Sequence, residues 1–358
     1  MPRTLSNWEY RTLVSECQCL IGRRLEKIYE PTPGLLRFDF SFGDSLVVKL
    51  GEYFYLTKKP PVAPMQPSSF AMYLRKYLEG RKLESMEGIG SDRIYKLVFK
   101  EAPTLLLEQF AGGNLFLLDK ESKLMRAYHA KPSEKRVYKS GEPYAIPQSA
   151  PFAFPPTMKE WQTSFDDKPN AALSSMLSRW PIGKPYVQEL LAFYKWEAKK
   201  ANELNGEEVQ ELLARLAVWM DANSLAPKVY EEEGKEKDKV EWVGAELSLV
   251  PLSRFEQPLY QTKSFSSFSQ TVEYFFTNAQ AVAPNQADPK LIRLQKRMEE
   301  QQSGLARLGK EIEEEGGKTQ WLEEHLPELE ERREKIMGGE TGTERVDEKK
   351  RVWKIESG

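Results

Sequence analysis

Residues 67–119 read as one helix and three strands in direct succession, an order that confines this part of the chain to an antiparallel α+β arrangement. Ser68 or Ser69 can cap the helix, Phe70, Leu74 and Leu78 mark one apolar face, and Gly80 ends it. The β-rich content of Ile94–Phe99 and Thr104–Glu108 favours pleated pairing. Ala111-Gly112-Gly113-Asn114 tolerates positive φ and supplies a hairpin turn, before residues 115–118 return as a third strand.

Upstream, Ser6 followed three residues later by Glu9 fits a capping box at a first helix, with Leu13, Cys17 and Leu20 on one face and Gly22 at its end. Leu35–Phe40, residues 45–50 and Tyr53–Thr57 are strand-length segments separated by Gly43-Asp44 and Gly51-Glu52 turns. Together with the three later strands they predict a mostly antiparallel sheet or sandwich flanked by two helices. The proline-rich stretch 59–67 is a stiff surface crossing.

Residues 148–169 are a proline-rich link into a helical region. Asn170 can cap a helix over 171–179, Trp180 to Pro185 make a tight turn, residues 186–199 are amphipathic, and a further helix covers Gly206–Met220. Helix, glycine turn, helix fits a helix-hairpin-helix, whose turn amides and helix N-terminus suit a phosphate; plain packing of a helical hairpin explains the same pattern. Residues 231–239 are a charge run that predicts an exposed loop. Val240 to Val243 and Leu247 to Leu252 predict short strands rejoining the first domain.

From Asp288 the character changes. Leu291, Leu294, Met298, Gln301, Leu305, Leu308 and Ile312 recur at 3-4 spacing, as do Leu322, Leu326, Leu329 and Ile336 after Gly316-Gly317. That pattern predicts an antiparallel coiled-coil hairpin with a glycine tip and arms about 30 Å long. The expected organisation is therefore a β-rich domain at 1–150, a helical domain at 151–225, a return segment at 226–287, a coiled coil at 288–340 and a tail at 341–358.

Charge narrows the function classes. The net charge is -2, yet residues 1–150 hold 23 basic and 17 acidic side chains while 288–358 hold 15 and 18, so a polyanion should meet the N-terminal half. Cys17 and Cys19 stand alone and complete no zinc site. No run approaches the ~18 apolar residues of a membrane span and no signal core opens the chain, which predicts a cytoplasmic protein with no membrane role. His129 and His325 form no plausible acid–base site, and there is no P-loop or G-x-S-x-G motif. Neither a metal nor a cofactor is expected.

Asp92-Arg93 is the sharpest candidate site. Arginine can pair bidentately with a phosphate or stack on a base, and the aspartate can fix the guanidinium or accept from a base edge. A surface pair worth ~0–1 kcal/mol is the alternative. Arg75, Lys76, Arg81 and Lys82 read as phosphate contacts or as a solvated helix face.

The phrases Phe70…Leu74-Arg75-Lys76, Asp92-Arg93-Ile94 and Glu108…Gly113-Asn114…Leu118-Asp119 resemble, in order, the NFACT-N domain of the RqcH/NEMF-like ribosome quality-control proteins. The likeness continues through Arg136, Tyr138, Gly141, Tyr144 and Pro147, through Ile182-Gly183-Lys184-Pro185, and into the phrase starting at Phe265. It implies an α+β fold whose N-terminal domain is related to that of formamidopyrimidine-DNA glycosylases, followed by a helix-hairpin-helix and a coiled coil. By the same resemblance Asp92 and Arg93 recruit tRNA, and Glu9, where the family usually carries aspartate, contributes. Arg75, Lys76 and Asn114 are further tRNA contacts, and Ile182, Gly183 and Lys184 touch phosphate. Gly88 stands where the family often has glutamine, which weakens that part of the polar network.

The implied partners are a large ribosomal subunit carrying peptidyl-tRNA, and tRNA itself, alanyl-tRNA in bacterial members. The implied activity is non-enzymatic: tRNA is recruited so that the ribosome tails the stalled chain. The family's C-terminal NFACT-R domain has no clear counterpart; residues 350–355 at most resemble its first strand, so the chain is expected to stop early. Two other readings stay open. Met1-Pro2 matches a glycosylase's N-terminal proline nucleophile, although Arg3 stands where those enzymes carry glutamate and their zinc-finger cysteines are missing. A coiled-coil scaffold with no RNA role is the second.

Overall fold

A computed structural model describes residues 3–90, 92–130, 138–146, 157, 159–160, 170–236, 239–279, 316, 318–335, 346–347 and 352–353. Helix α1 (Asn7–Glu16) opens with the expected capping box: the Ser6 side chain accepts from Glu9 N and the Glu9 carboxylate accepts from Ser6 N. Four strands follow as an antiparallel meander, β1 (Leu25–Thr32), β2 (Leu35–Phe40), β3 (Ser45–Lys49) and β4 (Tyr53–Thr57). Helix α2 (Ser69–Leu78) buries Phe70, Ala71, Leu74 and Leu78, with Ser68 as its cap.

A second meander contains β5 (Leu83–Gly88), β6 (Ile94–Phe99), β7 (Thr104–Glu108), β8 (Asn114–Leu118) and β9 (Leu124–Ala127), in sequence order. The six expected strands thus divide between two antiparallel sheets, and β1, β5 and β9 extend them. This second sheet is covered on both faces. Leu105, Leu107, Leu115 and Leu117 join the main core, while Ile94, Leu106, Phe116, Leu118 and Leu124 form a satellite core with Tyr138 and Tyr144. Double burial explains why β7 and β8 read as apolar runs without alternation.

The meanders are pinned turn to turn. Buried Gln109 accepts from Gly51 N at 2.5 Å and donates to Lys49 O and Tyr53 O at 3.3 and 3.2 Å. A Cβ on Gly113 would lie 2.0 Å from Gly51 N, so the two turns touch backbone to backbone.

The helical segment holds α3 (Leu173–Leu177), α4 (Lys184–Tyr194) and α5 (Gly206–Met220). Asn170 is not the cap of α3: that helix starts later, after Ala172, where Leu173 N donates to Lys199 O and Ala171 O accepts from Ala201 N. Lys195 takes a left-handed φ of 59° and stops α4 well short of Lys199. Asn205 and Glu208 make a reciprocal capping box at α5.

The charge run 231–239 is a correction. It forms a hairpin of β10 (Lys228–Glu236) and β11 (Lys239–Ser248), with β12 (Tyr260–Ser264) on the other edge of β10. Glu231 is buried there, paired with Lys263 and accepting from Tyr274. A buried carboxylate with two partners is tolerable, which composition alone does not reveal. Helix α6 (Phe268–Tyr274) then packs on β4, its first amides donated to Glu16 at 2.6 and 2.8 Å.

One core runs from Leu5 to Phe275 and takes side chains from both meanders, the helical segment and the return strands. Residues Met1–Pro284 form one compact unit and Asn285–Gly358 another. In the second unit residues 318–335 are helical, and Val346–Asp347 pairs antiparallel with Val352–Trp353. The first arm expected of the coiled coil lies outside the described residues, as does most of the proline-rich link at 148–169. Among the described residues no helix is long and apolar enough to cross a membrane.

Candidate nucleic-acid interface

A cleft of about 1030 Å³ opens where the N-terminal segment, the start of β6 and the turn into α4 converge. Asp92, Arg93, Gly183 and Lys184 line it together, though about 90 residues separate the two pairs. Arg3, Arg179 and Arg254 add to its cationic lining, while the acids are Asp92 and Glu246. Arg3 Nε binds Glu246 at 2.5 Å, which largely neutralises that acid and leaves a positive balance toward an anion. Phe110, Phe255 and Tyr260 supply aromatic surface on its walls.

The approach to β6 is fixed by backbone bonds. Asn7 Nδ2 donates to Asp92 O at 3.2 Å, Arg93 Nη1 donates to Leu5 O at 3.3 Å, and Gln109 N donates to Arg93 O at 2.8 Å. These contacts engage both carbonyls and one nitrogen of the Arg93 guanidinium, and both residues line the cleft. No ion pair joins Asp92 to Arg93 among the described residues. An arginine with spare donors and a carboxylate beside it can grip a phosphate and accept from a base edge at once.

The opposite wall is set by Gly183, which sits at φ +101° as the N-cap of α4. A Cβ there would fall 2.7 Å from Ser6 Cβ, so only glycine lets this turn close on α1. Trp8 N donates to Pro181 O at 3.0 Å, and the Trp8 ring packs on Tyr186 at 4.5 Å and stacks with Trp219 at 6.2 Å. The α4 N-terminus, with Pro185 as its second residue, is thereby placed at the cleft beside exposed Lys184.

Beneath the cleft lies a buried polar relay. Glu9 is fully buried; its Oε1 accepts from Arg3 at 2.5 Å and from Tyr186 at 2.8 Å, and its Oε2 from Ser6 N at 2.6 Å. Tyr186 in turn accepts from Leu249 N at 3.0 Å. Burial opposes the charge on Arg3, but Glu9 and Glu246 outweigh it and hold the guanidinium protonated above its ordinary value. Burial pushes Glu246 upward, against the pull of Arg3.

The remaining expected residues lie elsewhere. Ile182 is core. Asn114 is 1% exposed: it donates to His129 O at 2.9 Å and accepts from His129 N and Leu115 N, which locks the β8–β9 crossing. Arg75 donates Nε to Ile28 O at 2.7 Å and lies 4.6 Å over the Tyr29 ring. Lys76 is exposed on α2, away from the cleft lining. Glu9 and Asn114 are both buried, with their polar atoms engaged inside the fold. Arg3, Arg179, Arg254 and the three aromatic rings carried no local signal. They meet only through the chain's tertiary path.

The structure is thus an α+β protein in which two antiparallel meanders carry a docked helical segment, with a cation-rich cleft at the junction. The chain belongs to the NFACT family: the model of the NFACT N-terminal and middle domains matches residues 9–349. It is 25% identical over 296 residues to the archaeal Rqc2 homolog aRqcH of Methanocaldococcus jannaschii, covering 77% of this chain and 42% of that protein. It is 34% identical over 114 residues to ribosome quality control complex subunit 2 of Saccharomyces cerevisiae, covering 30% of this chain and 11% of the yeast protein. The chain therefore spans less than half the length of these relatives. Its fold is similar to that of the fibrinogen binding protein from Staphylococcus aureus, with a TM-score of 0.59, 18% identity and coverage of 76% of this chain and 98% of that one.

Proposed function

We propose that this chain acts in ribosome quality control, holding a tRNA at the cleft while the protein is bound to an obstructed large ribosomal subunit. The supporting observation is the convergence of Asp92 and Arg93 with Gly183 and Lys184 on one positively balanced cleft. In this reading Arg93 and Asp92 make the specific contacts, and Lys184 and Arg179 take backbone phosphates. Glu9, through Arg3, Ser6 and Tyr186, positions these walls. The helical segment serves as a helix-hairpin-helix module, the N-terminal domain keeps the glycosylase-like ancestry, and residues 288–340 serve as a coiled coil reaching the subunit in the cytoplasm.

Peptide bonds in C-terminal tailing would be made by the ribosome, with alanyl-tRNA as the bacterial-type substrate. The chain's contribution is then to hold the reactant in place, which lowers the entropic cost of the encounter. The glycosylase alternative loses ground at Arg3, whose guanidinium is taken up by Glu9 and Glu246.

The test is capture of the full chain from its own cell lysate at two salt concentrations, with bound RNA sequenced beside an Asp92→Ala/Arg93→Ala variant. Large-subunit rRNA with both proteins, and tRNA lost only with the variant, is the expected result. Ribosome capture without tRNA in either protein would reduce the role to docking. No RNA at the lower salt overturns the reading.

A further inference from the structure

A second surface, on the outer face of α2, is built for a different kind of contact. The inner face of α2 is fully occupied by Phe70, Ala71, Leu74 and Leu78. Outward, Tyr73, Lys76 and Tyr77 share one face at i, i+3 and i+4 spacing, and half-exposed Met72 borders them. The rings of Tyr73 and Tyr77 lie 5.2 Å apart at 55°. The Lys76 ammonium stands 5.3 Å from the Tyr77 centroid, and the exposed Arg126 guanidinium of β9 stands 5.3 Å from that of Tyr73. Two adjacent aromatic rings flanked by two cations, in the order Arg126, Tyr73, Tyr77 and Lys76, therefore form a patch contributed by two separate elements.

The neighbouring acids do not neutralise it. Glu79 is paired with Lys27 at 2.6 Å, Glu121 with Lys123 at 2.6 Å, and Glu30 accepts from the Tyr128 hydroxyl. Among the described residues neither Lys76 nor Arg126 has a carboxylate partner. Cations held over ring faces at an exposed site contribute little to folding. Their value lies in what the patch offers to a ligand with both negative charge and flat faces.

We propose that this α2–β9 face is a second RNA-contact surface, taking an unpaired, single-stranded RNA segment by stacking on Tyr73 and Tyr77 while Lys76 and Arg126 meet its phosphates. An unpaired segment fits better than a duplex because its base faces are open to the rings, and every base has such a face, so recognition is tolerant of sequence. A duplex would find only the two cations. The surface shares no residue with the cleft and stands whether or not tRNA occupies that site.

The experiment measures binding of the full chain to a labelled oligouridylate of about 12 nucleotides, within the range that such platforms cover, and to an RNA duplex of equal length. Four double variants are compared with wild type at matched thermal stability. Tyr73→Leu/Tyr77→Leu should weaken oligouridylate binding at least about tenfold, as loss of a stacked base implies, while Tyr73→Phe/Tyr77→Phe restores it. Lys76→Ala/Arg126→Ala should lower the salt slope by about 1.4 for two phosphate contacts on a single strand. Asp92→Ala/Arg93→Ala should leave oligouridylate binding in place. The proposal is overturned if wild type does not bind, if the leucine and alanine variants bind as wild type does, or if only the cleft variant loses binding. Equal displacement by polyglutamate would mark the face as a site for acidic protein and overturn it as well.

Discussion

The Tyr186 hydroxyl donates to Glu9 at 2.8 Å across 177 residues of sequence, and both groups are buried. Through this bond and the Leu249 amide the start of α1, the helical segment and the return strand meet at one oxygen.

Tyr186→Phe removes that oxygen and leaves the buried Leu249 amide without its acceptor. Stability should fall by about 1–3 kcal/mol, read from the urea midpoint at unchanged slope. A loss under about 0.5 kcal/mol would mean the relay adds nothing to the docking of these elements.

Alkaline pH should expose the buried phenols. Burial pushes Tyr10, Tyr95 and Tyr186 far above the ordinary phenol range, and Tyr53, Tyr128 and Tyr230 up to about 12. A phenol whose folded pKa lies above its unfolded value near 10 stabilises the fold fully below pH ~10, and that contribution is lost as pH rises through the folded value. Stability should therefore drop between about pH 10 and 12, with tyrosinate absorbance rising together with loss of structure. Full titration near pH 10 with the fold intact would contradict the burial.

Gly112 and Gly113 both take positive φ but should respond differently. A Cβ on Gly112 meets nothing within 4 Å, so Gly112→Ala should cost roughly 1–2 kcal/mol of backbone strain. On Gly113 it would meet Gly51 N at 2.0 Å and Leu50 C at 2.4 Å, and backbone cannot step aside. Gly113→Ala should exceed about 4 kcal/mol or prevent folding. Equal thermal shifts in the two variants would remove the turn-to-turn contact from the account.

Arg179 and Lys184 are both exposed at the cleft. If they meet tRNA phosphates, Arg179→Ala/Lys184→Ala should reduce the slope of log K against log salt by about 1.4–1.8 and leave thermal stability within ~0.5 kcal/mol of wild type. An unchanged slope would place the phosphates elsewhere.

Local chemistry was legible where one short window holds all the participants. Ser6 and Glu9 announced a capping box, Phe70, Leu74 and Leu78 a buried helix face, and Gly112-Gly113 a hairpin turn, and each is found. The strand β10 was hidden because its charges imitate a solvated loop; Glu231 is admitted to the interior only by Lys263 and Tyr274, which come from β12 and α6. Asn170 misled for a similar reason. A side-chain cap is one way to satisfy the first helical amides, and at α3 the chain near Lys199 supplies a backbone acceptor instead.

The sequence by itself determined α1, α2 and six strands of the N-terminal half and the antiparallel order of their hairpins, since periodicity and turn chemistry act over a few residues. Only the tertiary structure decided which polar residues line the cleft and which are buried. Asp92 and Arg93 stay at the cleft because their carbonyls are tied to Asn7 and Gln109 and one Arg93 guanidinium nitrogen to Leu5 O. Glu9 and Asn114, equally polar on paper, are drawn inside, where a buried carboxylate or amide must find its partners from segments far along the chain. That requirement couples distant positions, and no local pattern encodes it.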